Sequence, residues 1–551
     1  MLIFKKKKMI KKFLLIGILS LGVFSCQDAL DITQDGELND ETLFTNVENL
    51  QLFLNETYDR VNIQNQIMLS SVLTDEVGMG SAGYADQTHS FNIFTTNGYA
   101  SAIWNQNYGA INYANRLLRG ATYFTPSPEE EAIYNNIIAQ ARYIRAFSHF
   151  QLLTYFSTDL KDDNALGVMK VDFVPTAQQK VPRSTNGEVF ALIEEDLDFA
   201  QANLTNPTTG TDNWKYININ AVNALKARMY LYRGMYSQAE TYADALINNP
   251  EISLATSTFT LPTNFPLTSD TTVPTGGNTG SSSLDAPPPP GIQFALFQMD
   301  RWNAPTSPVY RKMWVDTDQG EIIFSLSRLN NATNLSMWYN TNNSSETGGP
   351  LWDMGRNLFE LYTQPLGGGA EDFRRWSFVD RSSLIVADPS LGTYLDDVIV
   401  IDKYPGKLGG HGANDVKVFR LSEFYFIKAE ARVRAGDLVE AANLIREVRQ
   451  ARNYILGAVV PTPVYTNQTE AFADILLERR KELAFEGHRY IDLKRLGIDA
   501  GVTETDRYFR DSENASATSP SNISVTDYRF TLPIPQAEIN VNPLTQNPEY
   551  N

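Results

Sequence analysis

Two stretches of this chain, 202 residues apart, spell out the same pair of helices. "ALKARMYLYRGMYSQAETYADALI" from Ala224 aligns with "FIKAEARVRAGDLVEAANLIREVR" from Phe426, matching Lys226 with Lys428, Ala227 with Ala429, Gly234 with Gly436 and Ala239 with Ala441. Each reads as helix, glycine-containing turn, helix. The small residues let two antiparallel helices approach closely, and the glycine takes the positive φ that the end of the first helix needs. The order of glycine, apolar residue and alanine matches the tetratricopeptide pattern. Two copies so far apart do not make a regular solenoid; they predict helix pairs interrupted by a large insertion. The expected fold class is mostly α: tetratricopeptide-like helix pairs forming a scaffold, with a long, irregular, loop-rich insertion containing short strands.

Other segments fit this layout. "NQNYGAINYANRLLRGA" and "EAIYNNIIAQARYIRAFSHFQLLTYF" repeat apolar residues at helical spacing, for example Ile133, Ile137, Ile144 and Phe147. Between Glu251 and Gly291 the composition turns to Thr, Ser, Pro and Gly, ending in "DAPPPPG", which holds neither a helix nor a sheet interior and reads as a surface excursion. Strand-like runs such as "EIIFSLS" follow among Gly-rich loops, and helical periodicity resumes from Leu421 to Gly497. We expect one domain over 41–551, with helix pairs at about 41–250 and 415–500, the insertion at about 251–414, and an irregular segment at 501–551.

The amino terminus predicts export. Six lysines, Lys5 to Lys8 with Lys11 and Lys12, precede the uncharged run Phe13 to Ser25, whose thirteen residues are fewer than the ~20 a helix needs to span a bilayer. Residues 1–25 therefore read as a signal peptide. Cys26, the only cysteine, follows at once, and the junction resembles the lipobox of bacterial lipoproteins. Lipid on Cys26 would tether the protein to a membrane that the chain does not span, through an acidic linker at 26–40. Without residues 1–25, which hold six lysines and no acid, the formal net charge goes from −18 to −24. A body so acidic is repelled by phosphate backbones, so nucleic acid is not an expected partner.

"KELAFEGHRYIDLKRLG" crowds Glu482, Glu486, His488, Arg489 and Asp492 together. In one helix through Ile475 to Leu496, Glu482 would pair with Arg479, Glu486 with Arg489 and Asp492 with Arg495, each within a turn. Zinc would find only His488 and Asp492 at helical spacing. With 64 carboxylates in the chain, sequence proximity of acids says nothing about catalysis, so the motif is expected to be architecture. Arg142, Arg145 and His149 share one side of a helix, and we expect the arginines to pair with acids of neighbouring helices. No catalytic residue, metal or cofactor is predicted.

Binding is then the expected activity. Sugars are gripped by aromatic rings against their C–H faces, with amides and carboxylates on the hydroxyls. Two loop-rich stretches carry that mixture. "GMGSAGYADQTHSFNIFTTNGYA" supplies Tyr84, Asp86, His89, Asn97 and Tyr99; Phe294 to Trp352 supplies Trp302, Trp338, Tyr339 and Trp352. Trp338 and Tyr339 have polar neighbours on both sides, which points both rings away from the core.

Seven motifs in order make the chain resemble the SusD/RagB family of outer-membrane nutrient-binding lipoproteins. They are Cys26, "WNQNYGAINYANRLL", "ARYIRAFSHFQLLTYF", "VPRSTNGEVFALIEEDLDFA", "VFRLSEFYFIKAEARVRAGDLVEA", "LLERRKELAFEGHRYIDLKRLG" and "LPIPQAEINVNPLTQNPEYN". The resemblance implies a non-enzymatic lipoprotein on the outer face of the outer membrane, binding an oligo- or polysaccharide and serving a SusC-like TonB-dependent transporter. It also implies that variable loops hold the ligand. Two rivals are a peptide-binding member of the family and a surface glycosidase. Cys26→Ala is expected to abolish incorporation of labelled palmitate and to release the protein from the membrane fraction.

Overall fold

Six of the long helices begin where the sequence offers a side chain to the first free backbone N–H groups. Asn46 caps α1 (Val47–Arg60), Asn97 caps α3 (Gly98–Gly120), Asn218 caps α6 (Ile219–Tyr232), Asp437 caps α10 (Leu438–Arg452) and Asn467 caps α11 (Gln468–Glu482). Thr185 and Glu188 form a reciprocal capping box at α5 (Asn186–Asn203). Among the described residues the remaining helices of eight residues or more are α2 (Gln64–Leu73), α4 (Glu131–Phe156), α7 (Tyr236–Ile247), α8 (Arg356–Thr363), α9 (Leu421–Arg434) and α12 (Arg489–Leu496). Two antiparallel ribbons complete the fold: β1 (Val77–Met79) with β3 (Trp352–Met354), and β2 (Ile322–Leu326) with β4 (Val416–Arg420). This computed structural model describes residues 40–80, 83, 86–176, 178–204, 213–258, 307–327, 335–339, 350–380, 383, 385–386, 388–390, 396–406, 413–512 and 520–550. The signal peptide, Cys26 and most of the Pro-rich excursion lie outside them.

The helices form one continuous stack. α1 packs on α3, α3 on α4, α4 on α5, α5 on α6, α6 on α7, α7 on α9, and α9 on α10 and α11. The two repeat copies, distant in sequence, are therefore neighbours, and the turn glycines Gly234 and Gly436 take φ of +74° and +84°. The matched lysines do the same work in both copies. Lys226 of α6 reaches back to Asp198 of α5 at 2.6 Å, and Lys428 of α9 reaches back to Asp244 of α7 at 2.7 Å. The arginine expectation also holds, since Arg145 donates from both arms of its guanidinium to Asp196, each at 2.7 Å.

The charged motif is architecture, but not as one helix. α11 stops at Glu482 and α12 starts at Arg489. Between them Phe485 takes φ of +62°, a costly conformation for a side chain of its size. Glu76 Oε1 accepts the Phe485 N–H at 2.9 Å, and the Tyr404 hydroxyl donates to the Phe485 carbonyl at 2.8 Å. Of the three expected local pairs only Asp492–Arg495 forms, at 2.6 Å. Arg479 turns to Asp492 at 2.7 Å, and Arg489 to Asp75 at 2.7 Å. The freed acids enter a buried network. Glu482 accepts from Arg420 (2.8 Å), Arg452 (2.8 and 2.9 Å) and Arg374 (3.1 Å). Glu486 accepts from Arg420 and from Lys403, each at 2.6 Å. Arg452 also donates to Glu321 at 2.8 Å. Burial alone raises a carboxyl pKa, but here the guanidiniums of Arg452 and Arg420 hold Glu482 well below its ordinary value.

The carboxyl-terminal segment is tied back to the scaffold. Arg183 donates to the carbonyls of Gly167 and Thr545 and to Asn547 Oδ1, and the Trp104 indole donates to Glu538 at 3.3 Å. Among the described residues no helix is long and apolar enough to cross a membrane. Glu482→Ala is expected to cost about 3–5 kcal/mol in urea unfolding, because it takes one buried carboxylate from three buried cations at once. Lys428→Ala, at a partly exposed pair with no further acid drawn in among the described residues, is expected to cost less than Glu482→Ala, about 1 kcal/mol.

Candidate ligand-binding site

The β1–β3 ribbon sets Val77 opposite Met354 and Met79 opposite Trp352. It gathers segments remote in sequence at one place. The short helix Leu335–Tyr339 packs beside β3, the turn Phe509–Ser512 packs beside β1, and the loop carrying His89 lies against Trp352 with ring centroids 5.2 Å apart. A cleft next to the ribbon is lined by Gly78, Met79, Asp353, Asp397, Arg510 and Asp511. Gly78 keeps it open: a Cβ there would sit 3.1 Å from Asp353 Oδ1 and 3.2 Å from Asp511 Oδ1.

The three carboxyls are poorly neutralised. Burial, and then the charges of Asp511 and Asp397, pushes Asp353 well above the usual carboxylate range. Burial pushes Asp511 up to about 7, although it accepts the Arg356 backbone N–H at 3.0 Å. Asp397 is also raised by burial, with Arg356 at 3.1 Å pulling the other way. Such a floor can accept hydrogen bonds from hydroxyls and, where a proton is retained, donate one. On the neighbouring turn Phe509 is 49% exposed and packs on Tyr508 at 4.7 Å, while Arg510 lies over its ring. The sequence reading missed Asp511, Phe509 and their turn. The signal was the mixture of aromatic and acid in "TDRYFRDSEN", inside a segment set aside as irregular.

The predicted residues fare differently one from another. Trp338 is half-buried at the edge of the core, beside the exposed Met337. Tyr339 corrects the expectation that polar neighbours keep a ring outside. It is fully buried, stacks on Tyr404, and donates its hydroxyl to Ser71 Oγ at 3.0 Å. Trp352 is buried within β3, and His89 is buried against it, so neither ring faces outward. Asp86 spends an oxygen on the backbone N–H groups of Thr88 (2.7 Å) and His89 (3.1 Å), shaping its own turn. Asn97 caps α3 by accepting the Ala100 N–H at 3.0 Å, and donates to Thr88 Oγ1. Tyr99 is half-buried on the core. Tyr84 and Trp302 lie outside the described residues. Among the described residues no group of His, Cys, Asp or Glu is arranged to hold a metal ion.

Fold and cleft together define a helical-repeat scaffold carrying a loop-built candidate site. Two family descriptions match the chain: "SusD family" over residues 392–550, and "Starch-binding associating with outer membrane" over residues 28–231. SusD-like protein P2 of Formosa agariphila is 24% identical over 553 residues, covering 97% of this chain and 98% of its own. SusD-like protein P38 of the same organism is 24% identical over 512 residues, covering 89% and 92%. A solved structure, a putative sugar binding protein from Bacteroides vulgatus, shares the fold with a TM-score of 0.67 at 22% identity, covering 92% of this chain and 99% of that one. A laminarin binding SusD-like protein shares it with a TM-score of 0.59 at 18% identity, covering 92% and 100%. The chain is thus similar to SusD-family proteins over nearly its whole length.

A carboxyl raised in the folded state contributes stability that is complete below its unfolded value near 4 and is lost as pH rises toward about 7. Asp511→Asn removes that loss. Urea unfolding of the two proteins is expected to show the variant gaining a few kcal/mol on the parent between pH 4 and pH 8.

Proposed function

We propose that this protein is a cell-surface lipoprotein that captures a nutrient glycan, an oligo- or polysaccharide, and delivers it to a SusC-like TonB-dependent transporter of the outer membrane. The observation that carries this reading is the meeting of exposed aromatic surface with carboxyls at the β1–β3 ribbon: Phe509 beside Asp511, with the Trp338 helix packed on the same ribbon. Rings supply rigid apolar area for sugar C–H faces, and the carboxyls supply direction for hydroxyls. The sugar-binding and laminarin-binding labels of structures sharing the fold support the same ligand class. The lipid on Cys26 would hold the scaffold at the surface, and the rigid helix stack offers the broad face that a lasting partner needs.

A second reading, a surface glycosidase, draws on the same cleft, because Asp353, Asp397 and Asp511 are clustered carboxyls with raised pKa values. A glycan array followed by calorimetry on the chain from Gln27 separates the two. Saturable binding of one polysaccharide class is expected, weakened roughly tenfold, or about 1.4 kcal/mol, by Trp338→Ala or Phe509→Ala, with the glycan recovered intact. Cleaved product would install the glycosidase. Binding of peptides with no glycan bound would install the peptide reading.

A further inference from the structure

Gln66 projects from α2 into the interior, where it is 2% exposed, and neither its amide oxygen nor its amide nitrogen has a hydrogen-bond partner among the described residues. It lines a cavity with about 30 Å³ of room for water, walled by Gln151 and Thr154 of α4, Arg228 of α6, and Gly487 and His488 at the break before α12. A buried amide left without partners costs on the order of 1–3 kcal/mol. Folded proteins keep such groups where bound water satisfies them. One water needs about 10–15 Å³ of such room, so the cavity accommodates about two.

The walls suit a neutral occupant. The Arg228 guanidinium is engaged by Glu423 through two bonds of 2.6 Å. Glu486, also on the wall, is engaged by Arg420 and Lys403. Burial, and then the nearby Arg228 and Arg479 charges, keeps His488 well below its ordinary pKa and so uncharged. Thr154 donates its hydroxyl to the Phe150 carbonyl at 2.8 Å, which leaves its oxygen free to accept from inside the cavity.

We propose that this cavity is a buried hydration site in which about two water molecules bridge the Gln66 amide to His488 and Thr154. The Gly-His pair of the charged motif builds it. Gly487 passes the Ile67 backbone at φ of +88°, where a Cβ would lie 3.4 Å from the Ile67 nitrogen, and His488 closes the opposite side. The hydrated seam joins α2, α4, α6 and α12, elements far apart in the chain.

High-resolution crystals of the protein, grown in sodium and again in rubidium salts, test the assignment. We expect two density peaks within hydrogen-bond distance of the Gln66 amide, identical in both salts and free of anomalous signal, and their loss in Gln66→Met. No density at the amide would overturn the proposal, and so would a rubidium signal, which would make the site one for a monovalent cation. The parent crystals decide the matter even if the variant does not fold.

Discussion

The carboxylate of Glu482 is the point on which the structure turns. It is fully buried at the end of α11 and receives guanidinium groups from β4, from α10 and from Arg374 of the insertion. Charges taken so far from water are tolerated only when each is met by another, so every segment that contributes one is obliged to arrive in register. An apolar contact would forgive a shift of an ångström or two; hydrogen bonds of 2.6–3.1 Å do not. Glu321, Arg374 and Lys403 all come from the loop-rich insertion. The network thus fixes irregular chain onto a regular helical stack, where periodic packing has no hold.

The same residue type serves opposite ends in two places. Glu482 and Asp353 are both buried acids, yet one is held far below its ordinary pKa and the other far above. The difference lies in the neighbours. Arginines surround Glu482, whereas Asp353 faces Asp511 and Asp397 with too little positive charge nearby. Buried acids in the scaffold are met by several cations each, whereas those in the cleft crowd one another.

What could be read from the sequence follows the range of the forces involved. Helical periodicity and small residues in a turn are local, so the repeat, its glycines and the strand in "EIIFSLS" were legible before any coordinates. The helix break at Phe485 was not, because its cause is Glu76 and Tyr404, hundreds and tens of residues away, with no proline to announce it. Tyr339 misled for the same reason. Polar neighbours describe the chain on either side, while Ser71 and Tyr404, which take the ring in, are distant. The cleft was half legible: Trp338 sits at the ribbon, but Asp511 and Phe509 come from a stretch whose periodicity gave no reason to look there.

Because α7 packs directly on α9, the segment between Ile247 and Leu421 is an insertion between two packed helices, and its described residues are tied back to the stack through β3 on β1 and α8 on α11. Lengthening a loop whose ends are already held costs only about 0.6 kcal/mol per doubling. Sequences that keep its docking pins Glu321, Arg374 and Lys403, and its buried rings Trp314, Tyr339 and Phe378, can rewrite exposed positions of this segment while the stack stays unaltered. Recognition and architecture can then evolve on separate clocks within one polypeptide.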